Sequence, residues 1–498
     1  MNLYDLLTSA GAPAAPFLTT ADGAVLRYRD LDGETARLAN ALVARGVKPG
    51  DRVLAQVEKS PRALLWYLAT LRAGAVFLPL NTGYTREEVA YFVGDAEPAL
   101  IVCDPGSAAM FNDLAAGAPV ETLDAAGEGS LADLAADQAE RFATVAVSEN
   151  DLAAILYTSG TTGRSKGAML SHGNLASNAR TLAEAWRFSA DDVLIHALPI
   201  FHVHGLFVAT NVIMAAGASM IFLPRFDPAE VAALMDRATV LMGVPTFYTR
   251  LLDSPALTRE ATQRMRLFVS GSAPLLAETH RAFEARTGHA ILERYGMTET
   301  GMNTSNPCEG ARVPGTVGPP LPGVEVRIVE PETGRPLPQG EIGMIEVKGP
   351  NVFQGYWRMP EKTAQEFRDG WFVTGDLGLI DENGYVAIVG RGKDLIITGG
   401  LNVYPKEVET AIDALPGVVE SAVVGAPHPD FGEGVVAVVV RSDPALDEAA
   451  ITSGLAERLA RFKQPKRVVF RDALPRNTMG KVQKQKLREE LQSLFRKA

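Results

Sequence analysis

Eleven consecutive residues, Tyr157 to Gly167, read Tyr-Thr-Ser-Gly-Thr-Thr-Gly-Arg-Ser-Lys-Gly and concentrate groups that suit an anion. Gly160, Gly163 and Gly167 permit a tight turn with exposed backbone N–H groups, while Thr158, Ser159, Thr161 and Thr162 add hydroxyl donors and Lys166 adds a positive charge. The segment follows the apolar run Leu152 to Leu156, so it reads as a phosphate cradle at the end of a buried strand. It is not the P-loop of a kinase or ATPase, because Ser165 follows the four residues after Gly160 and the Gly-Lys-Ser/Thr ending is absent. His202 and His204 have the spacing of a metal pair, yet no Cys, His or carboxylate adjoins them as a third ligand, so no metal centre is expected there.

The chain that must position these groups has 498 residues, which at about 150 residues per domain suggests about three folding units. Its 47% hydrophobic and 21% charged residues are those of a globular protein. A formal charge of −11 opposes binding to nucleic acid and to anionic membranes, since such affinity comes from Lys and Arg neutralising phosphates. Cys103 and Cys308 stand far apart in no metal-binding or disulfide pattern, and the first residues lack the basic n-region of a secretory signal, so a cytoplasmic protein is expected. Gly205 to Leu223 carries no formal charge, but Asn211 and Gly217-Ala218-Ser219 interrupt it, which predicts a helix, a turn and a buried strand in place of a membrane span.

Helical periodicity over Leu31, Ala36, Leu38, Leu42 and Val43 alternates with the apolar run Val53 to Val57, and a helix from Arg62 to Arg72 precedes Ala75 to Leu78. Further runs at 100–102, 154–156 and 239–242 extend the alternation, so the fold class is α/β with parallel-rich sheets flanked by helices. From about Pro314 the chain turns to short alternating segments rich in Gly and Pro, which predicts a small β unit. Beyond Gly390-Arg391-Gly392-Lys393 the pattern gives a helix (405–415), strands (421–424 and 435–440), a helix (447–462) and a strand (467–470), hence a small α+β domain.

Six segments, in this order, resemble motifs of the adenylate-forming superfamily of acyl- and aryl-CoA synthetases: 157–167, Tyr295 to Thr300, Thr374 to Leu377, Gly390 to Asp394, Gly399 to Tyr404 and Asn477 to Lys481. The resemblance covers nearly the whole chain. It implies an N-terminal adenylation domain over 1–390, a hinge at 391–393 and a mobile C-terminal domain over 394–498. In the implied reaction a carboxylate attacks the α-phosphorus of ATP to give acyl-AMP and pyrophosphate, and the CoA thiol then displaces AMP.

By the same resemblance Lys481 is the mobile lysine bridging the substrate carboxylate and the α-phosphate, and Glu299 with Thr158 holds Mg²⁺. Asp376 accepts from the ribose hydroxyls, with Arg391 in support. Gly271, Ser272, Ala273, Glu293, Arg294, Tyr295, Gly296, Met297 and Thr298 lie at the strand ends flanking the adenine, with Tyr295 stacked on the base. Lys393 is the hinge residue, Gly400 lines the thiol tunnel and His202 gates it. ATP and CoA are the implied cosubstrates, and a carrier protein in trans is an alternative acceptor.

The acid pocket would then be built around His202, Val203, His204, Ser270 and Met302, and the segments carrying these residues resemble those of bacterial malonyl-CoA synthetases. A second carboxylate needs a cation, because a buried unpaired charge costs several kcal/mol. Arg281, one to two turns into the following helix, is the expected cation, although its periodicity also fits a solvated face. Malonate, or methylmalonate within the limits set by Val203 and Met302, is the expected substrate. A short-chain, medium-chain or aryl acid is the alternative, and a nucleotide-binding pseudoenzyme is the alternative outside catalysis.

Overall fold

The computed structural model describes residues 1–158, 165–398, 401–456, 458–477 and 480–495. Ser159, Gly160, Thr161, Thr162, Gly163 and Gly400 lie outside the described residues. Two large sheets dominate the first 310 residues. One has six strands, in spatial order Val120–Thr122, Leu100–Cys103, Arg52–Gln56, Val76–Pro79, Leu152–Thr158 and Lys166–Ser171. Only the last pair is antiparallel.

The other sheet has eight strands, in the order Gly301–Ser305, Leu292–Met297, Leu267–Ser270, Val240–Gly243, Val193–His196, Ser219–Phe222, Pro16–Thr20 and Val25–Arg27. It is parallel inside, with one antiparallel pair at each edge. Strands such as Leu100–Cys103 and Val240–Gly243 are buried at all four positions, as parallel strands covered on both faces must be.

The helix Pro61–Arg72 shows how the sheets are joined. Ser60 caps it by accepting from the Ala63 N–H, and Pro61 supplies the fixed φ of the first turn. Every residue from Ala63 to Arg72 is buried, so the helix is covered all round. Its Tyr67 ring lies 5.3 Å from Phe77 of the six-stranded sheet and 5.9 Å from Phe207, which precedes the eight-stranded sheet's strand Ser219–Phe222. The uncharged stretch 205–223 forms a π-helix (His204–Thr210), a short α-helix (Asn211–Ala215) and that strand. No helix among the described residues is long and apolar enough to cross a membrane.

The small β unit is an antiparallel sheet of Glu325–Val329, Gly343–Lys348, Trp371–Ile380, Phe367–Arg368 and Val386–Arg391. Its Ile345, Val347 and Phe372 join the core of the two large sheets. Residues after 394 instead form cores of their own on the two faces of another five-stranded sheet: Ile396, Val408, Ile412, Val423 and Val435 on one, Val424, Val436, Leu487 and Leu491 on the other.

In this last unit the helix expected over 447–462 ends at Leu455. Gly454 weakens the helix there, and a side chain at that position would come within 2.7 Å of Leu415. The hairpin Ile396–Thr398 with Leu401–Val403 and the helix Lys484–Leu491 are additions to the expected elements.

Candidate active site

The C-terminal ends of the parallel strands in the eight-stranded sheet bring most of the expected residues together, as in open α/β sheets generally. Strand Leu267–Ser270 ends in Ser270, buried, its hydroxyl without a partner. Gly271 follows, and a Cβ there would lie 2.3 Å from the guanidinium carbon of Arg294. Glycine is therefore required for Arg294, on strand Leu292–Met297, to pack over this backbone. Ser272 adopts φ +73°, a conformation rare outside glycine, and stores local strain to aim its side chain. Its hydroxyl sits 3.2 Å from Nδ1 of His204.

Arg294 is 4% exposed, and its Nε and Nη2 have no partner. No carboxylate among the described residues pairs with it, and burial holds its pKa down at about 9. His204 is also buried with an unpartnered Nε2, and burial, then Arg294, keeps its imidazole neutral by pushing its pKa well below the usual range. His202, beside the Phe201 ring, is held at about 4 by burial. Val203 and Met302 are buried, and Val203 lines a small cavity with Asn178, Phe207, Thr298 and Gly301. Asn178 fixes Met302 from both sides, accepting from its N–H at 3.1 Å and donating to its carbonyl at 3.0 Å.

The nucleotide end is organised differently. Thr158 and Lys166 are register partners, the pair nearest the segment that joins the two strands of an antiparallel hairpin. The Lys166 ammonium lies 4.1 Å above the Tyr356 ring and 3.4 Å from a Glu366 carboxylate oxygen. Tyr356 donates its hydroxyl to Oε1 of Glu299 at 3.0 Å, and burial raises the pKa of this carboxyl. Gly296, Met297 and Thr298 lead into Glu299 at a tight turn in which a Cβ on Gly296 would meet the Gly301 carbonyl at 2.0 Å.

Asp376 and Arg391 are register partners on adjacent strands and form an ion pair at 2.7 Å. The Tyr295 hydroxyl donates to the other oxygen of Asp376 at 2.5 Å. Lys481, solvent-exposed along part of its side chain, faces Arg391, Asp376, Lys393 and Asp394; partial enclosure, then Arg391, lowers its pKa to about 8. Its turn rests on the large domain, since a Cβ on Gly480 would contact Thr246 at 3.4 Å. Lys393 is exposed in the short turn Gly392–Asp394, whose Asp394 pairs with Arg488.

One expected assignment is corrected. Arg281 lies on the solvent side of helix Ala277–Thr287, whose buried face is Thr279, His280, Phe283 and Thr287. It is exposed and makes no ion pair among the described residues, so it is not the pocket's cation; the buried unpartnered cation is Arg294. Glu293 next to it points the other way, as strand alternation requires, 3.6 Å from buried His280. Ala273 is half-buried at the start of the next turn. The sequence pattern also missed Tyr356 and Glu366, which carry no motif spacing of their own.

Residues 8–357 match the family described as AMP-binding enzyme, and residues 407–481 match the AMP-binding enzyme C-terminal domain. The crystal structure of ATP-bound MatB from Rhodopseudomonas palustris superposes with a TM-score of 0.98 at 64% identity, covering 99% of both chains. The apo structure of the same protein gives 0.87 at the same identity and coverage, so the present shape is nearer the ATP-bound one. A feruloyl-CoA synthase of Amycolatopsis is 38% identical over 94% of each chain, and a malonate–CoA ligase of Arabidopsis thaliana 35% identical over 90% of this chain and 79% of its own. The chain therefore belongs to the AMP-binding enzyme family of AMP-forming acyl-CoA synthetases and is an ATP-dependent, adenylate-forming ligase that joins a carboxylic acid to CoA.

Proposed function

We propose that the acid is malonate, with methylmalonate as the tolerated branched analogue, and that the product is malonyl-CoA. One observation carries this reading: Arg294 is a buried guanidinium without a counterion among the described residues, packed over Gly271 and near the neutral imidazole of His204, whose Nδ1 lies against the Ser272 hydroxyl. A monocarboxylate spends its charge on adenylation and leaves that cation unpaired, whereas the second carboxylate of malonate satisfies it by charge-assisted hydrogen bonds. The names of the MatB structure and the Arabidopsis ligase agree with this choice.

In the first half-reaction two anions, carboxylate and triphosphate, must approach each other, so the site supplies cations and oriented donors. Lys481 in its protonated form bridges the reacting carboxylate and the α-phosphate. Lys166 and the hydroxyl-rich loop hold the outer phosphates. Asp376, oriented by Tyr295 and Arg391, accepts from the ribose. Glu299 has an oxygen left over beyond the one that accepts from Tyr356, and with Thr158 it suits Mg²⁺, an ion that takes few protein ligands and completes its shell with phosphate and water oxygens. When bound, the ion supplies charge neutralisation at the phosphates.

For the second half-reaction, rotation of 394–498 about residues 391–393 removes Lys481 and brings Gly400 to the thiol path, with His202 as its gate. Lys393→Pro blocks this rotation and reduces thioester formation more than adenylation, measured separately. The protein acts in the cytoplasm.

Pyrophosphate release with MgATP and CoA across acetate, butyrate, octanoate, benzoate, malonate, methylmalonate and succinate, with the acyl-CoA identified by mass, tests the assignment. Malonate leading, with AMP and malonyl-CoA as products, supports it; an apolar or aryl acid leading removes the role given to Arg294.

A further inference from the structure

Lys59 follows strand Arg52–Gln56 of the six-stranded sheet and reaches across to the eight-stranded one. Its ammonium donates to the His196 carbonyl at 2.8 Å, lies 3.0 Å from Nδ1 of the same residue, and sits 4.3 Å from the Phe222 ring centre. His196 and Phe222 are register partners at the ends of adjacent parallel strands. No carboxylate among the described residues pairs with this lysine. A half-buried lysine whose pKa desolvation pushes well below the usual range, placed on a carbonyl, an imidazole and a ring with no acid, needs a reason beyond charge balance.

The other side of the imidazole supplies one. Nε2 of His196 is 2.9 Å from the Gly205 carbonyl, which can only accept, so Nε2 carries the hydrogen and Nδ1 is left to accept from Lys59. Thr210 donates its hydroxyl to the same carbonyl at 3.1 Å. Gly205 lies in the π-helix His204–Thr210, where the wider turn breaks the ordinary helical bonding pattern. The turn is closed so tightly that a Cβ on Gly205 would meet the Pro199 carbonyl at 2.0 Å. The residue before it, His204, is the one that faces Ser272 in the acid pocket.

We propose that Lys59 and His196 are positioning residues for the acid: the relay from Lys59 through the His196 imidazole to the Gly205 carbonyl holds the π-helical turn that aims His204 at the carboxylate bound by Arg294. The relay rests on the pocket assignment made above. It touches neither the nucleotide nor Lys481. Its loss therefore loosens the acid and leaves ATP binding in place. Burial keeps His196 neutral, with its pKa pushed well below the usual imidazole range, so the donor and acceptor roles of its two nitrogens are fixed.

The test is the KM for acid against the KM for ATP in Lys59→Met, which keeps the buried stem and removes the donor. An increase of about tenfold for malonate with less than about twofold for ATP is expected, a split that general destabilisation does not give. His196→Leu is expected to match it. His196→Gln keeps an acceptor and a donor at the end of the side chain and restores the malonate KM to within about threefold of wild type. The double variant Lys59→Met/His196→Leu should be no worse than His196→Leu alone, because both cut one relay.

If Lys59→Met does not fold, Thr210→Val, which removes one hydroxyl from the Gly205 carbonyl, carries the same comparison with an expected rise of about threefold. Parallel increases for acid and ATP, multiplicative effects in the double variant, or wild-type constants in Lys59→Met or, where that does not fold, in Thr210→Val overturn the proposal. If the wild-type enzyme prefers an acid other than malonate, the pocket assignment fails, and the same split measured with the preferred acid still decides on Lys59 and His196.

Discussion

The two ends of the active site treat charge in opposite ways. At the nucleotide end most charged groups already have partners: Lys166 with Glu366, Asp376 with Arg391 and Tyr295, Glu299 with Tyr356. At the acid end, among the described residues, Arg294 has no counterion, His204 has an unpartnered Nε2, and Ser272 is held in a strained conformation. A site that must bind and release a polyanion during each turnover keeps its cations solvated or paired between events. A site that must choose one small acid leaves a buried demand that only the right ligand meets, and this rejects analogues lacking the matching group far better than an apolar wall does. On the proposed function, the difference assigns specificity to Arg294 and general adenylation chemistry to Lys481.

The largest expected effect breaks the nucleotide end. Lys481→Ala should slow adenylation about 10³-fold or more with every acid, while hydrolysis or thiolysis of supplied acyl-AMP is much less affected. Equal loss in both half-reactions would place Lys481 outside the first step. Next, Gly271→Ala puts a methyl group where the guanidinium of Arg294 now packs. It should raise the malonate KM about 10²-fold with little change for ATP, as read from initial rates at saturating co-substrate.

A smaller effect follows from the pKa of Lys481. Its folded value is lowered to about 8, and in the proposed mechanism the protonated form is the active one. Adenylation measured as kcat/KM should therefore be level below about pH 8 and fall about tenfold by one pH unit above it. Lys481→Arg keeps its charge and should move this limb to higher pH, whatever it does to the rate itself. The smallest change tests the resting pairing: Glu366→Gln frees Lys166 and should lower the ATP KM by about two- to threefold, with the malonate KM unmoved.

The α/β architecture was legible because its signals are local and periodic. The helix at 61–72 and the strands at 100–103 and 240–243 stand out as apolar runs, and a glycine and hydroxyl cluster in the sequence marks the end of the strand Leu152–Thr158. The cation proposed for the pocket was not legible in this way. Arg281 and Arg294 are both arginines near apolar residues, and what separates them is phase: Arg281 falls on the outer face of its helix, while Arg294 points inward from its strand over a glycine. That close approach and the positive φ of Ser272 arise from tertiary packing, which no spacing in the sequence records. Lys59, next to exposed Glu58, reads in sequence as a solvated lysine, and only the meeting of two sheets gives it His196 as a partner.

The most direct measurement is the ratio of kcat/KM for malonate to that for butyrate in the wild-type enzyme and in Arg294→Ala. A wild-type preference for malonate that falls about 10²- to 10³-fold in the variant is expected, with butyrate changing by less than about tenfold. A preference for malonate that survives the loss of Arg294 would contradict this expectation, and would move the site of selection to another group.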